Sequence, residues 1–111
     1  MRIKDEILKN QNDFNIMCMN HNVKYLYAFG SSVTDKFDVN KSDIDLLVEI
    51  DSKDPIDRGE KLLSLWDLFE IFFNRKVDLL TDSSIHNPFL KKSIDSTKIL
   101  IYDGSGKKVL N

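Results

Sequence analysis

Near the middle of this chain the apolar residues alternate. Ile44, Leu46, Val48 and Ile50 are separated by Asp45, Leu47 and Glu49. A period of two marks a strand with one buried face, so residues 43–50 read as a strand. Val23 to Phe29, rich in Tyr, Phe and Val, reads as an earlier strand after a break at Asn20-His21-Asn22. At the N-terminus the period lengthens. Ile3, Ile7, Leu8, Phe14 and Met17 recur at roughly helical spacing, which predicts one helix over residues 2–20. A second helix is predicted over 55–74, with Asp54 as cap, Pro55 at the first position and Asp57 at the positive end of the dipole. Lys76 to Leu80 reads as a short third strand, Asn87-Pro88 opens a helical segment over 88–95, and Lys98 to Tyr102 reads as a fourth strand. Residues 31–42 are polar, with one helical turn near Ser32 to Phe37.

The order of elements predicts an α+β fold, a small mixed β-sheet with helices on one face. Residues 1–103 form a single domain, and 104–111 form a flexible C-terminal tail. At 111 residues there is room for one core and no separate substrate domain. The apolar fraction of 41% and charged fraction of 31% are those of an ordinary globular protein. A net charge of -2 without a basic stripe argues against direct nucleic-acid binding. Cys18 has no second cysteine to pair with, and no apolar run reaches membrane-spanning length. A cytoplasmic protein is therefore expected.

The chemistry sits on the face that alternation leaves polar. Asp43 and Asp45 point together from the side opposite Ile44 and Leu46. Two adjacent carboxylates repel when both are ionised, and a divalent cation with oxygen ligands relieves that. If Val77 and Leu79 face the helices, Asp78 joins the pair on the open side. Gly30, at the end of the earlier strand, lets backbone approach a phosphate. The N–H groups and hydroxyl of Ser31, with Ser32, can donate to its oxygens. Each piece alone has an ordinary explanation: solvated acids at a strand start, a glycine in a turn. Together they are the parts nucleotidyl transfer requires.

Gly30-Ser31, Ser42-Asp43-Ile44-Asp45-Leu46-Leu47-Val48 and Val77-Asp78-Leu79 resemble the motifs of minimal nucleotidyltransferases (MNT) of the DNA polymerase beta superfamily. The resemblance covers residues 23–102. It implies a polymerase-beta-like fold, ATP as nucleotide donor and a two-metal Mg2+ site held by Asp43 and Asp45. Asp78 would be the third acid, a metal ligand that orients the nucleophile. It further implies an antitoxin partnered with a small helical HEPN toxin and AMP transfer to a tyrosine of that toxin. One departure stands out. Family members often carry an arginine after the Gly-Ser, then another basic residue and a glycine. Here Ser32, Val33, Thr34 and Asp35 occupy those places. Lys36, Lys41, Lys91 and Lys92 are the candidate replacements, and each reads equally well as a solvated surface lysine. The departure keeps open a catalytically weak or inactive antitoxin that neutralises its partner by complex formation, or a nucleotide sensor.

Other features carry less. Gly104-Ser105-Gly106-Lys107-Lys108 lacks the spacing of a phosphate loop. His21 and His86 read as exposed, unpartnered loop residues, and Cys18 as helix packing. In the 55–74 helix, Leu62, Leu63, Leu65, Trp66, Leu68, Phe69, Phe72 and Phe73 span an arc of about 220°. That is wider than a core stripe. Deep burial accounts for it, and so does a homo-oligomeric or hetero-complex contact through this helix.

Overall fold

The computed structural model describes residues 3–33 and 43–105. Two helices, α1 (Ile3–Lys9) and α2 (Gln11–Asn20), lead into β1 (Val23–Phe29) and a 3₁₀ turn at Gly30–Val33. Then come β2 (Ile44–Ile50), α3 (Pro55–Phe73), β3 (Val77–Leu80), a 3₁₀ turn at Asp82–Ser84, α4 (Pro88–Thr97) and β4 (Ile99–Asp103). The strands form one mixed sheet in the order β3-β2-β1-β4, with β2 and β3 parallel and the other neighbours antiparallel. Parallel neighbours need a crossover, and α3 supplies it. The α+β class and the mixed sheet are those the alternation and helical periods predict.

Three local features differ from the sequence reading. The first predicted helix is two, broken at Asn10, whose N–H donates to the Ile7 carbonyl at 3.1 Å. Asn10-Gln11-Asn12-Asp13 is a polar run, and Asn and Asp side chains compete with the helical backbone. The helices do not all share one face. Ile3, Ile7, Phe14, Cys18, Leu65, Phe69 and Phe73 bury one side of the sheet against Leu26, Ala28, Ile44, Leu46, Val48, Val77 and Leu79. On the other side Ile94 of α4 packs with Phe29 and Leu47, flanked by Tyr27, Leu80 and Ile85. The face expected to be open is thus partly roofed, because Phe29 and Leu47 put apolar surface there. At the C-terminus the Gly104 N–H donates to the Lys24 carbonyl at 2.7 Å, one residue past β4. Residues 106–111 of the expected tail lie outside the described residues.

α3 sets the position of β3. Asp54 accepts from the Ile56 N–H at 3.0 Å to start the helix, and Asn74 ends it with φ 52 in the left-handed region. From its buried face Trp66 Nε1 donates to the Val77 carbonyl at 2.6 Å, and Glu70 Oε2 accepts from the Val77 N–H at 3.0 Å. Both backbone groups of Val77 are pinned, so the next residue, Asp78, emerges at a fixed place. Trp66 therefore belongs to the inside of the fold rather than to a partner surface. The exposed apolar residues of α3 are Ile56, Leu63 and Ile71. Spacings of seven and eight put them in one outward stripe.

Candidate functional site

Two of the three aspartates, Asp45 and Asp78, come from neighbouring strands. In the β2–β3 pair Asp45 is in register with Asp78, and in the β1–β2 pair it lies opposite Phe29. Directly paired residues share a face, so Phe29, Asp45 and Asp78 form one row across three strands. The next row is Tyr27, Leu47 and Leu80. Val77 and Leu79 are buried on the helical side and Asp78 is exposed, which puts its side chain on the Asp45 face. Asp43 lies just ahead of β2, two residues from Asp45, and is half-buried.

The electrostatics follow from that row. Burial, then the negative charge of Asp78, then that of Asp43, push the Asp45 carboxyl up to about 6. Without a counter-charge Asp45 holds its proton more tightly than an ordinary aspartate does. Among the described residues no three His, Cys, Asp or Glu side chains close into a ready metal cage. The donor set still suits Mg2+, which binds through one or two carboxylates and the phosphates of its substrate rather than an all-protein cage.

The 3₁₀ turn after β1 abuts Asp45 at two points. Gly30 has φ +64, and a Cβ placed on it would lie 2.6 Å from Asp45 Oδ2. Only glycine meets both conditions without strain. Ser32, 2% exposed, accepts the Asp45 N–H on its Oγ at 2.8 Å. The sequence reading has its hydroxyl donating to a phosphate; here its oxygen accepts from protein backbone. Ser31 sits within the turn, and its side chain lies outside the described residues. So do Lys36, Lys41, Thr34 and Asp35. Lys91 bonds to Asp82, and Lys92 is exposed on α4.

A cavity of about 710 Å³ opens further along the sheet, lined among others by Tyr27, Leu47, Glu49, Arg58, Asp82 and Lys98. None of the three aspartates lines it. Its cations are already engaged: Lys98 with Asp95 at 3.1 Å and over the Tyr27 ring, and Arg58 with the Ser52 carbonyl at 2.7 Å. The acidic row is therefore the better candidate for chemistry. Two other sequence readings resolve plainly. His21 is held by the Met17 carbonyl and Ser64 Oγ, at 2.8 and 2.9 Å, so it is not unpartnered. Cys18 is buried in the core, and burial pushes its thiol far above the range of a nucleophile.

A family model described as polymerase beta nucleotidyltransferase matches residues 6–107. A Methanocaldococcus jannaschii protein whose name gives it as a protein adenylyltransferase is 38% identical over 81 residues, 73% of this chain and 79% of its own. Among solved structures, a toxin–antitoxin complex with AMP-PNP superposes with a TM-score of 0.56 at 24% identity, over 85% of this chain and 73% of that one. An MNT antitoxin in complex with a tri-AMPylated Shewanella oneidensis HEPN toxin gives a TM-score of 0.50 at 22% identity, over 86% and 71%. At such identities the likeness to the solved structures is one of fold.

Proposed function

The chain belongs to the polymerase beta nucleotidyltransferase family, and from that premise we propose that it transfers AMP from ATP to a hydroxyl of a partner protein, with pyrophosphate as the leaving group. The observation that carries this reading is the row of acids: Asp45 in register with Asp78 on one sheet face, with the Gly30 backbone against the Asp45 carboxylate. The adenylyltransferase name of the relative at 38% identity, and the AMP-PNP and AMPylated-toxin complexes that share the fold, support it.

Asp43 and Asp45 would hold Mg2+, as a two-metal site with Asp78. Bound there, the cations would neutralise the triphosphate and ease ionisation of the attacking hydroxyl. Asp78, the exposed member of the row, would orient that hydroxyl and accept its proton. Gly30 and Ser31 bring backbone N–H groups to the phosphates. The acceptor protein would be a HEPN-type toxin, with the exposed stripe of Ile56, Leu63 and Ile71 on α3 as its contact surface. The reaction would take place in the cytoplasm, in keeping with a single unpaired Cys18. No helix among the described residues is long and apolar enough to cross a membrane.

The test is transfer of label from α-³²P-ATP to the purified partner in the presence of Mg2+. Wild-type protein should label the partner, and Asp45→Asn should not while keeping its fold. Label transfer by Asp45→Asn at the wild-type rate overturns the site. A second reading, neutralisation by binding alone, is favoured by one observation. Ser32 stands where an arginine is common in the family and is turned inward. Tight complex formation without label would establish it.

A further inference from the structure

We propose that Ser32 is a positioning residue that sets Asp45 in place for the metal and nucleotide, and that its hydroxyl does not itself bind the nucleotide. The inference rests on the reading of Asp45 as a site acid. Ser32 is the one buried polar residue in the described core, and a buried hydroxyl there demands a partner. That partner is the N–H of Asp45. Neighbouring N–H groups of a strand point to opposite edges, and the Ile44 N–H goes to the Lys76 carbonyl on the β3 side. The Asp45 N–H therefore points to the β1 side, where β1 has ended at Phe29 and its chain has turned at Gly30. Phe29, opposite Asp45, is the last residue of that strand, and a side chain from the turn that follows accepts the Asp45 N–H. Gly30 limits the carboxylate from the same turn, with space for no Cβ between them. One short turn thus fixes Asp45 at its backbone and at its side chain. Loss of a group that orients a metal's ligand typically costs about 10–100-fold in metal affinity or activity.

The experiment uses the full chain and three variants, Ser32→Ala, Ser32→Cys and Ser32→Thr. Mn2+ binding is titrated by electron paramagnetic resonance with AMP-PNP present, AMP-PNP binding is measured separately in EDTA, and exchange of the Asp45 amide is followed by NMR. Ser32→Ala is expected to weaken Mn2+ binding by about 10–100-fold and to lower kcat for transfer in parallel. It should also unprotect the Asp45 amide while those of Leu46 and Val48 stay protected. Metal-free AMP-PNP affinity should not change, and Ser32→Thr, which keeps the acceptor oxygen, should restore Mn2+ binding. Ser32→Cys, close in size but a poor acceptor, should behave as Ser32→Ala and serves if the alanine variant does not fold. Unchanged Mn2+ binding in the alanine and cysteine variants overturns the proposal, as does a loss confined to metal-free AMP-PNP affinity. Asp45→Asn separates the two levels of argument: if it still transfers AMP, the site reading itself has failed. If it is inactive while Ser32→Ala binds Mn2+ normally, only the positioning role has.

Discussion

Replacing Asp45 by asparagine should stabilise the metal-free protein at neutral pH. The carboxyl is raised from the ordinary 3.8 to about 6, first by burial and then by Asp78 and Asp43. A shift of about 2 units corresponds to ~3 kcal/mol at ~1.4 kcal/mol per unit. Asp45 is only half-buried, so solvent screening reduces this to ~1–2 kcal/mol. The direction follows from linkage. A group whose folded pKa is raised binds a proton more tightly in the native state. Its contribution is complete below the unfolded value near 4 and is lost as pH rises through about 6. Wild-type protein should therefore shed ~1–2 kcal/mol relative to Asp45→Asn between pH 4 and pH 7. Urea unfolding in EDTA at half-unit pH steps measures this, read as the difference between the two proteins. The subtraction removes the opposite trends of Asp57 and Asp82, whose carboxyls are lowered by Lys61 and Lys91. Adding Mg2+ and AMP-PNP should reverse the order, because a ligand bound only by the native wild type stabilises it alone. Equal urea midpoints at pH 7, or a difference that persists unchanged down to pH 4, would refute the electrostatic account of the acidic row.

Two further outcomes test the surrounding structure. Gly30→Ala must hold a Cβ at φ +64 and 2.6 Å from Asp45 Oδ2. A loss of ~1–2 kcal/mol in urea unfolding is expected, with transfer slowed by roughly 100-fold through displacement of the carboxylate; a variant as active as wild type would mean the approach of Gly30 to Asp45 is immaterial. Leu63→Glu, on a side chain 65% exposed, should leave stability within ~0.5 kcal/mol. It should weaken partner binding in calorimetry by ~2 kcal/mol if the α3 stripe is the contact, and unchanged affinity would move the interface elsewhere.

Much of this molecule was legible in one dimension. Alternation over Ile44–Ile50 gave a strand and its buried face, and Asp54-Pro55 and Asn87-Pro88 marked two helix starts where their side chains do cap the backbone. These signals are local, since a period or a cap depends on residues a few places apart. The same parity argument put Asp78 on the side away from Val77 and Leu79, because a strand offers a side chain only two faces. What only the tertiary structure decided involves residues far apart in the chain. No pattern tells that α4 roofs the acid-bearing face, since Ile94 finds Phe29 and Leu47 only once four strands are ordered. Nor does a serine in a turn announce whether its hydroxyl faces solvent or a backbone N–H thirteen residues on. The break in the first helix is local in cause, the polar run from Asn10 to Asp13, but apolar residues in phase on either side of Asn10 hide it from a reading by period. Periodicity fixes which way a side chain points from its own element. What it meets depends on how the elements pack, and at this site packing decides the charge on Asp45 and the use made of Ser32.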